Sequence, residues 1–186
     1  MRVISGKARG VALKTPAGML TRPTADRVKE ALFSIIQFDL PGARVLDLFG
    51  GTGQLGIEAI SRGASFAQFV DEREDACRLI RENLKRAKME EEGNVIRCDY
   101  VAFLKKCKEK YNIIILDPPY VEVFLENALK MITEIDILQS GGIIVTERPC
   151  GKDLLLDFPG FVRSKDYKYG KTVLTFYRKE KLIWKG

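Results

Sequence analysis

The sequence predicts an α/β fold, a mostly parallel sheet with helices on both faces. Three observations carry that prediction. Short apolar runs rich in β-branched residues alternate along the chain with amphipathic stretches. One run, Ile113 to Leu116, is aliphatic at every position, as in a strand buried on both faces, and it stops at once at Asp117-Pro118-Pro119-Tyr120. Another, ending at Asp47, passes through a glycine-rich turn directly into a helix.

The elements follow in order. Residues 1–20 mix small apolar and basic side chains with Gly6, Gly10 and Gly18, which predicts an irregular β-hairpin arm ahead of the main body. Thr24 is placed to N-cap a helix whose apolar positions, Val28, Ala31, Leu32, Ile35 and Ile36, recur at helical spacing until Pro41-Gly42. Then come a strand at Ala43 to Phe49, a helix at Gly53 to Arg62 and a strand at Phe66 to Asp71. A charged helix at Arg73 to Lys88, a strand at Asn94 to Cys98 and a helix at Val101 to Lys108 lead to the aliphatic strand. Val121 to Ile135 is helical, Gly141-Gly142 connects it to a strand at Ile143 to Glu147, and a short helical stretch covers Lys152 to Leu156. Finally Phe161 to Tyr167 and Val173 to Tyr177 face each other across residues 168–171, a hairpin that makes one edge strand antiparallel. With 186 residues and no linker, repeat or low-complexity tract, the chain reads as one domain.

Composition narrows the function classes. The hydrophobic fraction of 46% and charged fraction of 30% are those of a soluble globular protein, with no apolar run of membrane-spanning length and no signal-peptide core. Cys77, Cys98, Cys107 and Cys150 lack paired spacing, as expected of reduced thiols in the cytoplasm. There is no histidine, so a zinc site is disfavoured and the commonest general base is missing. The net charge of +6 is concentrated at the ends: seven basic against two acidic residues in 1–30, and eight against two in 163–186. Basic ends around an acidic middle suit a phosphate-rich partner, with Arg2, Lys7, Arg9, Arg22, Lys168 and Lys171 as candidate contacts.

The chemistry-bearing residues lie where strands end. Asp47, Asp71, Asp99 and Asp117 each close a predicted strand, and open α/β sheets bind ligands at those tips. Gly51-Thr52-Gly53-Gln54-Leu55-Gly56 satisfies the G-x-G-x-x-G pattern of dinucleotide folds, so an NAD-dependent oxidoreductase is a rival reading. Glycines at Gly51 and Gly53 let the backbone approach a ligand, and Asp71 suits the two hydroxyls of a ribose. Asp47 decides between them, since a carboxylate there repels a pyrophosphate and attracts the sulfonium and ammonium of S-adenosylmethionine. Phe49, Asp99 and Tyr100 are expected to border that cofactor, with Thr24 at its entrance beside Arg22. Asp117-Pro118-Pro119-Tyr120 has no use in hydride transfer. It resembles the motif of methyltransferases that modify exocyclic amines of nucleobases: carboxylate and Pro118 carbonyl accept the amine hydrogens, and Tyr120 stacks on the base. For Glu147 a structural role is expected.

The segments VLDLFGGTGQLGIEAISRGA, FVDERED, VIRCDYVAFL and ILDPPY, with RPTADRVKEALF upstream, together resemble the RsmD family of class I methyltransferases over about residues 1–180. Gly50 and Thr52 stand where alanine and serine are common in that family. The resemblance implies a Rossmann-like, seven-stranded sheet with its last strand antiparallel, core residues 43–180 and a basic N-terminal arm at 1–22. It further implies S-adenosylmethionine as cofactor, no metal, and methylation of a guanine N2 amine in 16S ribosomal RNA, in an assembled 30S particle or free. A monomer working in the cytoplasm, away from membranes, is the default. Rival functions sharing the motif are a DNA adenine-N6 or other amine methyltransferase and a non-catalytic RNA-binding assembly factor.

Overall fold

A computed structural model describes residues 1–16, 26–119, 122–151, 154 and 157–181. Its elements are α1 (Asp26–Ile35), β1 (Arg44–Asp47), α2 (Gln54–Ser61), β2 (Phe66–Asp71), α3 (Glu74–Ala87), β3 (Gly93–Arg97) and α4 (Tyr100–Lys106). They continue with β4 (Tyr111–Leu116), α5 (Glu122–Ile135), β5 (Leu138–Pro149), β6 (Phe161–Arg163), β7 (Tyr167–Tyr169) and β8 (Thr172–Lys179). Among the described residues no helix is long and apolar enough to cross a membrane.

The sheet runs β3-β2-β1-β4-β5-β8-β6, with β7 also on β8. The first five strands are mutually parallel. β8 is antiparallel to β5, so the last strand has the predicted direction. It is not the edge, however: β6 and β7 pair in succession along its far side, so eight segments fill seven positions. They are split because Ser164 to Asp166 face only Thr175 and Phe176 of β8, one residue too many for a regular ladder. Burial explains why β8 lies inside, since Val173 to Tyr177 are buried at five consecutive positions and an edge strand has no second neighbour to cover them.

Alternating residues of the central strands serve two cores. Val45, Ile113, Ile115 and Val145 join Leu32 and Phe33 of α1, Ile57 and Ile60 of α2, and Ile80 and Leu84 of α3. Leu46, Ile114, Leu116 and Ile144 join Phe103 of α4 with Leu125, Leu129 and Ile132 of α5. Each such aliphatic side chain withdrawn from water stabilises the fold by about 1.5–3 kcal/mol.

Two further expectations change. β5 does not start after Gly141-Gly142 but runs through them. Tyr111 pairs with Leu138 and Ile113 with Ile143, a bulge that the positive φ of Gly141 (75°) permits, and a Cβ on Gly142 would stand 2.8 Å from the Asn112 carbonyl oxygen. Nor does the N-terminal segment stand ahead of the body. It makes a single bridge, Arg2 to Ala12, and buries Val3, Ala8 and Leu13 in the core of α1 and α2. Fully buried Glu58 of α2 holds it: the carboxylate accepts the N–H groups of Ile4 (2.8 Å) and Ser5 (3.0 Å) and pairs with Lys29 (3.4 Å) and Arg62 (2.8 Å). Lys29, also buried, donates to the Arg2 carbonyl oxygen at 2.6 Å. Of the helical stretch expected at 152–156, only Leu154 lies within the described residues.

Candidate active site

Four strands deliver a carboxylate to one edge of the sheet. Asp47 and Asp71 are the last residues of β1 and β2, Asp117 directly follows β4, and Asp99 comes two residues after β3. Because these strands are parallel and adjacent, their carboxyl ends coincide, and all four aspartates line one cavity of about 500 Å³. Phe49, Gly51, Tyr100, Pro118 and Pro119 line it as well.

The glycine turn is built by backbone bonds: the Gly50 N–H donates to the Val70 carbonyl (2.8 Å) and that of Gly53 to Gly50 (2.7 Å). Gly53 sits at φ 77° as the N-cap of α2, which excludes most other residues, and it shapes the turn without facing the cavity. Gly56 must lack a side chain because a Cβ would fall 2.2 Å from the Phe69 ring. Its N–H donates to Asp47 Oδ2 at 3.1 Å.

The four carboxylates differ in electrostatics. Asp47 is 1% exposed and has no Lys or Arg partner among the described residues. Burial pushes its carboxyl up to about 7, the Gly56 N–H opposes, and the charge of Asp71 adds to the rise. Asp117 is also held well above the usual carboxylate range by burial, then by Glu147 on the next strand and by Asp47. A buried and a half-buried carboxylate, with no cation partner among the described residues, suit a ligand that carries positive charge. Asp71 receives the N–H groups of Gly51 and Arg73, each at 2.9 Å, which leaves lone pairs on both oxygens for ribose hydroxyls. Asp99 caps α4 through Val101 N–H (2.9 Å) and Ala102 N–H (3.1 Å) and still faces the cavity, so both of its expected roles are compatible. Tyr100 packs between Phe49 and Phe124, with ring centroids 5.3 and 5.7 Å away and the rings tilted by 46° and 60°, giving an aromatic wall that suits an adenine.

The structure leaves other candidates apart. Thr24, Arg22 and Tyr120 lie outside the described residues. Lys168 and Lys171 are exposed at the β7–β8 turn, and Thr172 pairs with Pro149, so this turn stands on the same carboxyl edge as Asp117. Arg2 is exposed and pairs with Asp26 at 3.5 Å. Lys7 and Arg9 are not brought to the cavity: the Lys7 N–H bonds the Ser61 carbonyl at the far end of α2, and its amine pairs with Glu92 just before β3.

Several cavity residues escape sequence reasoning. Thr52 and Gln54 belong to the glycine turn and α2, and Phe124 to the first turn of α5, so their closeness to the motifs was an available signal. Met1 and Thr15 had none. Thr15 arrives by tertiary packing beside Lys14, whose N–H (2.7 Å) and carbonyl (3.1 Å) are bound by buried Asn83 of α3, which also donates to the Thr52 carbonyl (2.9 Å); Met1 arrives through its carbonyl, which accepts the Leu13 N–H at 3.0 Å.

Comparison with known proteins points the same way. The chain matches the family model described as conserved hypothetical protein 95 over residues 1–178. It is 39% identical over 182 residues to the Bacillus subtilis (strain 168) protein named "Putative rRNA methyltransferase YlbH", covering 96% of this chain and 99% of that one. With ribosomal RNA small subunit methyltransferase D of Escherichia coli (strain K12) it shares 32% identity over 149 residues, 79% of this chain and 74% of the relative. The solved "Putative methyltransferase yhhF from Escherichia coli" superposes with a TM-score of 0.87 at 28% identity, over 97% of this chain and 98% of that chain.

Proposed function

Because the chain belongs to the conserved hypothetical protein 95 family, the RsmD family of small-subunit ribosomal RNA methyltransferases, we propose that it methylates the exocyclic N2 amine of a guanine in 16S ribosomal RNA. The chain is an S-adenosylmethionine-dependent methyltransferase, and the donor supplies an electrophilic methyl group and leaves as S-adenosylhomocysteine. The observation that carries the reading is the placement of Asp117-Pro118-Pro119 in the same cavity as Asp47 and Asp71.

An amine on a purine ring is a weak nucleophile because its lone pair is delocalised. Asp117 and the Pro118 carbonyl accept its two hydrogens, which favours a tetrahedral, nucleophilic nitrogen. Positive charge grows on that nitrogen during transfer, so an ionised Asp117 stabilises the transition state more than the ground state. No histidine is needed, because the amine proton leaves to solvent afterwards. Asp71, Asp99, Tyr100 and Phe49 hold the adenosyl end of the donor, and Asp47 faces its positive charge. Tyr120 stacks on the guanine, which is unpaired or flipped when it enters. Lys168 and Lys171 meet phosphates on the same edge, with Arg2 and Arg22 at the N-terminal side. The chain acts as one methyltransferase unit, a monomer in the cytoplasm, with residues 1–22 as a basic arm on a Rossmann-like core at 43–180.

The pH dependence of donor affinity tests the role of Asp47. Its carboxyl, raised to about 7, is protonated in acid, so affinity for cationic S-adenosylmethionine rises with pH, by up to about tenfold per unit, and levels off above about 7. The sign reverses for stability. Between about pH 4 and 7 the folded, ligand-free chain keeps a proton that the unfolded chain has lost, so stability falls as pH rises. Asp47→Asn therefore gains about 1–3 kcal/mol of stability near pH 8 while losing donor affinity. Titration calorimetry and denaturant unfolding across that range check both; a flat affinity profile contradicts the assignment.

Methyl-labelled donor offered with assembled 30S particles, protein-free 16S RNA and duplex DNA tests the acceptor. Label recovered as N2-methylguanosine from the ribosomal RNA supports the proposal. Label in DNA adenine overturns it in favour of the rival amine methyltransferase, and no transfer to any acceptor supports the assembly-factor reading.

A further inference from the structure

The break between β6 and β7 is closed by an ion-pair cluster that the chemistry above does not use. At Ser164 to Asp166 the ladder with β8 is irregular, and a segment short of ladder bonds swivels unless side chains tie it down. Asp166 ties it. Its Oδ2 accepts from Arg148 Nη2 at 2.5 Å, and its Oδ1 accepts from Arg163 Nη2 and from the Thr175 hydroxyl, each at 2.8 Å. Burial opposes the charge, but the hydroxyl and the two arginines hold the carboxyl below the usual carboxylate range, so the cluster is ionised at neutral pH.

What the cluster anchors is a hairpin with a distinctive load. Arg148 is 7% exposed and lies on β5, the strand next to the one that ends at Asp117. The tip of the β7–β8 hairpin is tied to the same strand, since just after β5 the Cys150 N–H donates to the Lys171 carbonyl oxygen at 2.9 Å. Lys165, Lys168 and Lys171 are exposed along this hairpin at every third position, and none has an acidic partner among the described residues. Elsewhere Lys7, Lys14 and Lys179 are paired, with Glu92, Glu82 and Asp136. Uncompensated cations held on a fixed edge suit a nucleic-acid backbone, whose phosphates set the register of the bound strand. Resting on the ribosomal RNA reading, we propose that Asp166 is a positioning residue for RNA. By clasping Arg148 and Arg163 it fixes the lysine edge of the hairpin relative to Asp117, so that phosphates and the target amine are engaged together. The sign of its effect is then opposite to charge arithmetic. Asp166→Asn removes a negative charge and releases two cations, which by net charge alone tightens binding to RNA; positioning predicts that it weakens.

The test measures dissociation constants of the full chain for 30S particles from cells lacking this protein and for protein-free 16S RNA, at several salt concentrations. For whichever RNA the wild type binds, Asp166→Asn weakens binding about tenfold and makes the logarithmic salt dependence shallower by about one to two, the slope carried by two phosphate contacts. KM for that RNA rises in step, while kcat and affinity for S-adenosylhomocysteine stay within about twofold. Lys168→Gln with Lys171→Gln weakens the wild type about tenfold but costs the Asp166→Asn chain less than about twofold, because the displaced lysines already miss their phosphates. Thr175→Val removes one of the three ties without altering charge. It shifts RNA affinity the same way by a smaller factor and covers the case in which Asp166→Asn does not fold. Unchanged or tighter RNA binding by the folded variants overturns the proposal, as does a lysine double variant that binds like the wild type. Additive losses from the lysine and Asp166 substitutions overturn it too, since they mark an effect that does not pass through the hairpin. A wild-type chain that binds neither form of RNA contradicts the ribosomal RNA reading itself and is distinct from these results.

Discussion

Asp117→Asn lowers the rate of methyl transfer about a hundredfold to a thousandfold while leaving affinity for S-adenosylhomocysteine within about twofold. Asparagine keeps the size of the side chain and one acceptor oxygen, so the cavity survives. What it removes is the negative charge that answers the positive charge growing on the amine, and it turns an N–H donor toward that amine. The ligand-free carboxyl is held well above the usual range by burial and by the charges of Glu147 and Asp47. Its ionisation therefore costs folding free energy at neutral pH, and the asparagine variant unfolds at the same or a higher temperature than the wild type. Lost activity with undiminished stability separates chemistry from misfolding. The same shift gives the wild-type rate an ascending limb with pH, as Asp117 gives up its proton, and the variant lacks it. Single-turnover rates across pH, with thermal unfolding alongside, provide the check; a rate within about tenfold of wild type places the amine acceptor elsewhere.

Glu58→Gln destabilises the chain by about 3–5 kcal/mol at pH 7. The carboxylate accepts from two backbone N–H groups and two cationic side chains, of which Lys29 is fully buried. An amide in its place offers two hydrogens to groups that are themselves donors. Lys29 is then a buried cation left only with the weaker attraction of Asp26. Burial already pulls its pKa below the usual value, opposed chiefly by Glu58. In the variant it falls further, so the unfolded chain binds a proton that the folded chain has lost. Stability then rises with pH between the lowered folded value and the ordinary lysine value, more steeply than in wild type. Because the same cluster fixes Ile4 and Ser5, and through them the segment that carries Met1 and Thr15 to the cavity, donor affinity drops as well. Urea unfolding at about pH 7 and about pH 9.5 measures both terms; a loss below about 1 kcal/mol at pH 7 contradicts the cluster's role.

These two residues mark the limits of what the sequence discloses. Asp117 was legible because an aliphatic run ended by two prolines can only be a buried strand leaving the sheet, and parallel strands gather their carboxyl ends on one side. Asp47 and Asp71 were legible for the same reason. Lys29 was not: helical periodicity assigns a charged residue to the solvent face, and its counter-charge stands on another helix, visible only once both pack under the N-terminal segment. The position of β8 was misjudged because hairpin signals report which strands pair, not what lies on the other side of them. Its five consecutive buried residues, Val173 to Tyr177, held the clue to an interior strand. Gly141-Gly142 read as a connection, whereas a left-handed glycine inside a strand can equally make a bulge.

Under the proposed function, carboxylates at neighbouring strand tips bring a sulfonium donor and the flat amine of a ribosomal guanine into one cavity. Mass mapping of 16S ribosomal RNA from cells lacking this protein, complemented with the wild-type chain or with Asp117→Asn, tests it most directly. One guanine is expected to lack a methyl group in the deletion strain, to regain it with the wild-type chain and to remain unmodified with the variant. A modification pattern untouched by the deletion, or fully restored by Asp117→Asn, contradicts it.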